Sequence, residues 1–373
     1  MNKLRIALAF AAALLAAPIP AAAADLDALL TSALQDPAIP AMTVLVIRDG
    51  KVEGQAVRGV RAVGSPDPAR LTDAWHIGSD AKAMTATMIA RLVERGVLSW
   101  TTPLKTLLPD TPMRPEFQDV TLLELLSHRA GLRDLDDTVD AGLLASAFAD
   151  TRPLPVQRAE FAKLVLNEAP IGPARAESSY SNSGYVLAGA IAERATGKPF
   201  ETLMRQEVFA PLGMRTSYEL AKPGEVLGHL DGKPLTGLKS DNPRLVAPAG
   251  EVRLTLADWA LFAIDQMAGE QGRGKLLKPA TYRLLHTPQG DTNAALGWGV
   301  RTWPKGAPTR MLSHSGSNGY WNALIGLLPD LQSGVLVAAN SASEGTEAAQ
   351  VKVLRAVMGE LVPAPAPAAP TAR

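Results

Sequence analysis

Hydrophobic positions along this chain follow two different periods, and the changes of period divide it. Leucines spaced as on one helical face run through 25–35 and predict a first helix. Met42 to Ile47 is a strand-like run, and Asp49-Gly50 is a strong hairpin turn leading into a second strand over 51–60. From Ala81 to Val97 the period becomes helical, with Met84, Met88, Ile89, Leu92 and Val93 on one stripe and Gly96 as a stop. Thr121 and Glu124 have the spacing of a capping box that opens a short helix over 122–127. Helical patterns fill 140–210, including one over 184–196 ended by Gly197, and Thr255 is placed to cap another that runs to Met267. Between them, 221–250 is rich in Pro and Gly and predicts a long irregular excursion. Strand character returns in four short runs, 297–303, 311–315, 320–328 and 334–339, before a last helix over 346–361.

Strands at both ends with helices between them predict an α/β (α+β) fold. Its antiparallel sheet, flanked by helices, is built from both ends of the chain around an inserted all-helical region. The α/β part takes about 25–80 and 253–362, and the insertion about 81–252. No internal repeat is present. The two termini stand outside this body. Lys3 and Arg5, an apolar run over 6–17 and the Ala22-Ala23-Ala24 cleavage site read residues 1–24 as a signal peptide. That run is too short for a comfortable membrane span. Residues 363–373 are nearly all Pro and Ala and predict an extended tail. The expected mature protein is periplasmic or secreted, with no stable membrane anchor.

Composition narrows the chemistry. The chain of 373 residues has no cysteine, which removes disulfides, thiolate metal sites and a cysteine nucleophile. Its 37 basic and 37 acidic residues offer no broad field for nucleic acid. Loss of Lys3 and Arg5 with the signal peptide leaves 35 bases against 37 acids, a slightly acidic mature chain. A small molecule or peptide is the expected partner.

Three short motifs carry candidate chemistry. Ser79-Asp80-Ala81-Lys82 stands where the strand-like Trp75-His76-Ile77-Gly78 turns into the helical run. A serine at a helix N-terminus meets unpaired N–H donors, and Lys82, one turn on, reaches the same face. A desolvated lysine loses its proton near neutral pH and then acts as a base. Taken alone, the pair reads more readily as a helix cap at Ser79 and a solvated surface residue at Lys82. Tyr180-Ser181-Asn182 precedes the 184–196 helix; a phenol relays a proton when nearby cations lower its pKa, and an amide binds both lysine and substrate. Tyr320-Trp321-Asn322 has the same spacing but falls in a strand pattern, where sheet packing explains it. His314-Ser315-Gly316, followed by Ser317, ends a strand before the Asn318-Gly319 turn. Gly316 is expected to let a substrate backbone approach, and His314 to present a donor or partial positive charge.

In this order the three motifs resemble those of the serine β-lactamase and D-Ala-D-Ala carboxypeptidase superfamily, in particular the branch holding class C β-lactamases, DD-carboxypeptidases, D-aminopeptidases and related esterases. Further stretches match: Leu125 through Leu132, Pro248-Ala249-Gly250, Gly297-Trp298-Gly299 and His314 through Leu328. The resemblance covers about 27–360. It implies that Ser79 forms an acyl-enzyme, Lys82 assists its deprotonation and Tyr180 is general base or proton relay. Asn182 holds Lys82 and the substrate amide, and the N–H groups of Ser79 and Ser317 form the oxyanion hole. His314, with Gly316 beside it, helps bind a substrate carboxylate or the leaving group. No metal or organic cofactor is implied.

Three positions depart from the pattern. His314 stands where class C β-lactamases have lysine, so recognition of an anionic substrate is expected to weaken as pH rises from about 5.5 to 8.5 through the histidine's titration. Asp80 occupies a place usually small or hydroxylic, and Glu251 one often held by glycine. The expected activity is that of an exported serine hydrolase acting on an amide, β-lactam or ester, including fragments derived from peptidoglycan. A promiscuous carboxylesterase of the same fold and a non-turnover penicillin-binding sensor are the alternatives. The absence of G-x-S-x-G and of H-E-x-x-H weighs against an α/β-hydrolase and a metallohydrolase.

Overall fold

Val44 and Val46 face one side of a strand, Leu45 and Ile47 the other, and all four are buried. Cover on both faces explains why that run is continuously apolar instead of alternating. The computed structural model describes residues 25–135, 140–304 and 309–362, so the predicted signal peptide and Pro/Ala tail lie outside the described residues. Its main sheet comprises β1 (Ala41–Arg48), β2 (Lys51–Gly59), β3 (Gly299–Thr302), β4 (Arg310–Ser317), β5 (Asn322–Leu328) and β6 (Ser333–Ala339). The order is β2-β1-β6-β5-β4-β3, antiparallel throughout. The first hairpin turns on Asp49 and Gly50 at φ 52° and 72°, the left-handed pair that a tight two-residue turn demands. Val44 pairs with Ala56 on one side and Val337 on the other, which joins the two ends of the chain in one sheet.

The helices that matter for the site are α1 (Leu26–Ala33), α2 (Lys82–Glu94), α3 (Asn182–Thr196), α4 (Leu256–Gly269) and α5 (Glu344–Leu361). On one face of the sheet, α1 and α5 bury Leu30, Val353, Val357 and Met358 against Val44, Val335 and Val337. On the other, α2, α3 and α4 share the larger core with Leu45, Ile325 and Leu336. Helix α2 is buried nearly all round from Lys82 to Ala90, so its apolar stripe is wider than a surface helix needs. Capping follows the sequence closely: Thr255 accepts from Asp258 N–H at 3.0 Å, and Glu124 closes the capping box on Thr121 N–H at 2.8 Å.

Several boundaries differ from the expectation. Tyr320 and Trp321 precede β5 and do not lie within it; Trp321 is buried there, edge-on to Trp75 at 6.1 Å. The 221–250 excursion holds a two-residue ladder, His229–Leu230 with Lys233–Pro234. A small three-stranded sheet links Trp75–His76, Arg253–Leu254 and Thr216–Ser217. Strands two residues long leave no period to read.

Candidate active site

Ser79 sits in a 3-10 turn, Gly78–Ala81, between the short strand at Trp75–His76 and α2. It is therefore one step before the helix proper, whose cap position is Ala81. Gly78 has φ 51°, and a Cβ there would stand 2.4 Å from the Ser317 nitrogen. A Cβ on Gly316 would stand 2.0 Å from the Ile77 carbonyl oxygen and 2.7 Å from the Ser79 nitrogen. Both glycines let the end of β4 close on the serine turn, so the backbone nitrogens of Ser79 and Ser317 border the same narrow gap. Gly316 thus serves an approach of protein to protein. His76, which repeats the His-x-Gly spacing, is structural. Its Nδ1 accepts from Gly78 N–H at 3.1 Å and its Nε2 faces Asp241 at 3.1 Å.

Lys82 is fully buried at the start of α2, directly behind Ser79. Its Nζ lies 2.9 Å from Ser79 Oγ, 2.6 Å from Asn182 Oδ1 and 2.5 Å from the Ala249 carbonyl oxygen. An ammonium has three N–H donors, and these partners match them one for one. Burial pushes the lysine pKa down to about 7, against the opposing pull of Asp134 and Asp80. Once neutral, the amine keeps two N–H bonds and one lone pair. Asn182 Oδ1 and Ala249 O only accept; the serine hydroxyl alone can donate. The lone pair is thereby aimed at the Ser79 proton.

Tyr180 donates its hydroxyl to Ser79 Oγ at 2.6 Å. Tyr180 is 43% exposed on the side of His314, yet desolvation, with Asp134 and Asp80 adding to it, pushes the phenol well above its ordinary pKa. That corrects the expectation of a cation-activated phenol: the hydroxyl keeps its proton and acts as a donor. Asn182 is the first residue of α3. Two residues beyond the three motifs hold this arrangement. His128, at φ 58°, accepts from Ser181 N–H at 3.1 Å through Nδ1 and stacks on Tyr180 at 4.5 Å. Burial lowers its pKa to about 3, so the ring is neutral. Asp134 accepts from Asn182 N–H at 2.6 Å and from its amide nitrogen at 3.4 Å. His128 lay inside a matched stretch, but nothing in the spacing singled out Asp134.

His314 projects from β4 toward Tyr180, with ring centroids 6.5 Å apart. Its Nδ1–H donates to Ser315 O at 2.8 Å, and burial together with Lys82 lowers its pKa to about 4. The ring is neutral across the range in which it was expected to titrate, because crowding and a nearby cation both oppose a second positive charge. The partial charge expected of His314 is absent at neutral pH, and with it the reason for weakening anion recognition between pH 5.5 and 8.5.

Ser79 is thus in contact with Lys82 and Tyr180, and Lys82 with Asn182, with Ser317 across the gap. The family model described as Beta-lactamase matches residues 26–358. The chain belongs to the β-lactamase family. It is 26% identical over 345 residues to Penicillin-binding protein 4 of Amycolatopsis lactamdurans, covering 87% of this chain and 86% of that one. It is 28% identical over 239 residues to Esterase EstB of Burkholderia gladioli, covering 61% and 60%. Among solved structures, the octameric penicillin-binding protein homologue from Pyrococcus abyssi superposes with a TM-score of 0.74 at 22% identity, over 90% of this chain and 77% of that one. That likeness shows the fold. The protein is a serine hydrolase of the β-lactamase family.

Against the family pattern, the two unusual acids take definite places. Asp80 is buried against the end of β4, and desolvation raises its pKa well above the usual carboxylate range. Glu251 is buried and turned toward Arg244 at 3.9 Å, with its pKa raised by burial and by Asp241. It leaves the cleft wall to Ala249 and Gly250. The cleft in this β-lactamase-family chain has a volume of about 420 Å³ and is bordered by Ser79, Asn182, Asn242, Gly250, Ser317 and Asn318. A second cavity of about 530 Å³ adjoins Tyr180 and His314 and includes Arg301, Trp303, Leu354 and Arg355.

Proposed function

We propose that the chain is exported and hydrolyses carboxylate-bearing amides of the D-Ala-D-Ala peptide or β-lactam kind through an acyl-Ser79 intermediate. The observation that carries this reading is the Lys82 amine, whose lone pair has Ser79 as its only donor. Neutral Lys82 takes the hydroxyl proton as Ser79 Oγ bonds to the substrate carbonyl carbon. The negative charge that develops on the carbonyl oxygen is met by the Ser79 and Ser317 N–H groups, where fixed donors need no rearrangement. Tyr180 gives its proton to the departing nitrogen or oxygen and regains one from Lys82, both groups having Ser79 Oγ as partner. Water then cleaves the acyl ester by the same groups in reverse. Asn182 binds the substrate amide with the cleft. Support for a peptide-like substrate comes from the polar cleft and from the relative named as a penicillin-binding protein.

A second reading, a carboxylesterase, is favoured by one observation. His314 is neutral and offers no charge to a substrate carboxylate, which esters of simple alcohols do not have. The basic start and apolar run of residues 1–24 support export. The deciding experiment labels the purified mature protein and Ser79→Ala with a tagged penicillin and follows release of the label. D-Ala-D-Ala peptide, a chromogenic cephalosporin and a short-chain nitrophenyl ester are assayed in parallel. Turnover of peptide or cephalosporin, lost in Ser79→Ala, supports the proposal. Ester turnover alone replaces it with the esterase reading, and a label that never leaves replaces it with a penicillin-binding sensor.

A further inference from the structure

From the contacts around the first turn of α3, we infer that Asp134 is a positioning residue, which sets the orientation of the Asn182 amide and through it the place and proton affinity of Lys82. The inference rests on the reading of Lys82 as the base for Ser79. An asparagine amide has two unlike ends, and only its environment decides which way it faces. Here the nitrogen end lies 3.4 Å from Asp134 Oδ2, and the oxygen end accepts from Lys82 at 2.6 Å. The flipped amide would set its oxygen against the carboxylate and its N–H against the lysine. The contact with the carboxylate would be repulsive in either state of the lysine, and that with Lys82 while it is an ammonium, so Asp134 leaves one orientation.

The carboxylate is itself held. Its Oδ1 accepts from Asn182 N–H at 2.6 Å and from Leu135 N–H at 2.8 Å. Ser181, the cap position of α3, turns its hydroxyl away to Arg133 O at 3.1 Å. Asp134 therefore supplies the N-terminal cap that α3 does not make for itself, and its negative charge suits that end of the helix. Arg133 fixes the adjoining backbone through Asp140 at 2.8 Å and Glu168 at 3.0 Å. The site thus has a chain of contacts: Asp134, Asn182, Lys82, Ser79.

Every group around Lys82 enters its proton balance. Asp134 and Asp80 favour the ammonium. Desolvation disfavours it, and the Tyr180 and Tyr185 ring faces stand 4.9 and 5.4 Å from Nζ. His128 and His314 are close enough for the lysine to lower their own pKa values, and both are neutral near pH 7. Removal of the Asp134 charge then leaves desolvation less opposed, and Lys82 loses its proton at lower pH.

The test uses the full mature protein and measures the pH dependence of Ser79 acylation by a neutral nitrophenyl ester. Asp134→Asn is expected to shift the acid limb down by about one pH unit and to lower the plateau about tenfold. Asp134→Glu, which keeps the charge, should restore the limb to its wild-type position. Loss of a helix cap alone would lower thermal stability and leave the limb where it was. Should Asp134→Asn not fold, Asp134→Ser retains a cap acceptor and carries the same comparison. An unmoved limb in a folded neutral variant overturns the inference. Acylation that persists undiminished in Ser79→Ala overturns the underlying reading instead, and the two failures are distinct.

Discussion

Acylation by this enzyme should switch on with pH around the midpoint of one lysine. The perturbation is pH itself, applied to kcat/KM for a neutral ester whose own charge does not change. Lys82 has its pKa lowered from 10.5 to about 7 by full burial, and only its neutral form can take the Ser79 proton. The neutral fraction falls about tenfold for each unit below the midpoint, so at pH 5 the rate should be roughly one hundredth of the plateau. No descending limb should follow from Tyr180 below pH 10, because burial holds that phenol above its ordinary value. Stopped-flow release of nitrophenolate, corrected for spontaneous hydrolysis, measures the profile. A single ascending limb near pH 7 and a plateau beyond pH 8 agree with the account. A profile flat from pH 5 to 8, or a bell with its maximum below 7, would refute the assignment of Lys82 as the base. Lys82→Arg, which cannot release its proton in this range, should abolish the limb together with the activity.

Other outcomes follow from the same geometry. Between pH 5.5 and 8.5, KM for a carboxylate-bearing substrate should be unchanged by His314 titration, because the ring is already neutral with a pKa of about 4; a KM that rises in parallel with loss of a histidine proton by NMR would contradict this. Gly316→Ala places a methyl 2.0 Å from Ile77 O and 2.7 Å from the Ser79 nitrogen, and should cost about 1–3 kcal/mol in urea unfolding and at least tenfold in kcat. For Lys82 the folded pKa lies below the unfolded one, so between about pH 7 and 10.5 the unfolded chain holds a proton that the folded chain does not, and stability rises with pH. Relative to Lys82→Met, the wild type should gain up to roughly 5 kcal/mol across that window, read from paired denaturation curves; parallel curves would contradict the burial of the amine.

Local chemistry was readable wherever one residue or one turn carried it. Asp49-Gly50 announced its hairpin because few other pairs accept two left-handed residues in succession. Thr255 and the Thr121–Glu124 pair announced their helices because a cap is a contact across three residues. Ser79 and Lys82 stood one turn apart, but only the order of all three motifs lifted them above a helix cap and a surface residue. Charge states were another matter. The proton affinity of His314 was not legible, because it is set by crowding and by Lys82, both brought to it by the approach of β4 to the serine turn. The phenol of Tyr180 was hidden in the same way, since enclosure and the nearby Asp134 and Asp80 raise its pKa. Asp134 was invisible because its partner stands 48 residues away and its own surroundings show no motif. Two-residue strands such as Arg253–Leu254 were equally hidden, their pairing being wholly a matter of tertiary contact.

The central claim is a covalent bond to Ser79 formed with Lys82 as base. Rapid acid quench of the mature enzyme with a nitrophenyl ester or penicillin, followed by peptide mapping, tests it most directly. The expected result is an acyl adduct on the peptide containing Ser79, formed at a rate that climbs with pH through about 7 and absent from Ser79→Ala. An adduct on any other residue, or turnover that persists undiminished in Ser79→Ala, would contradict it.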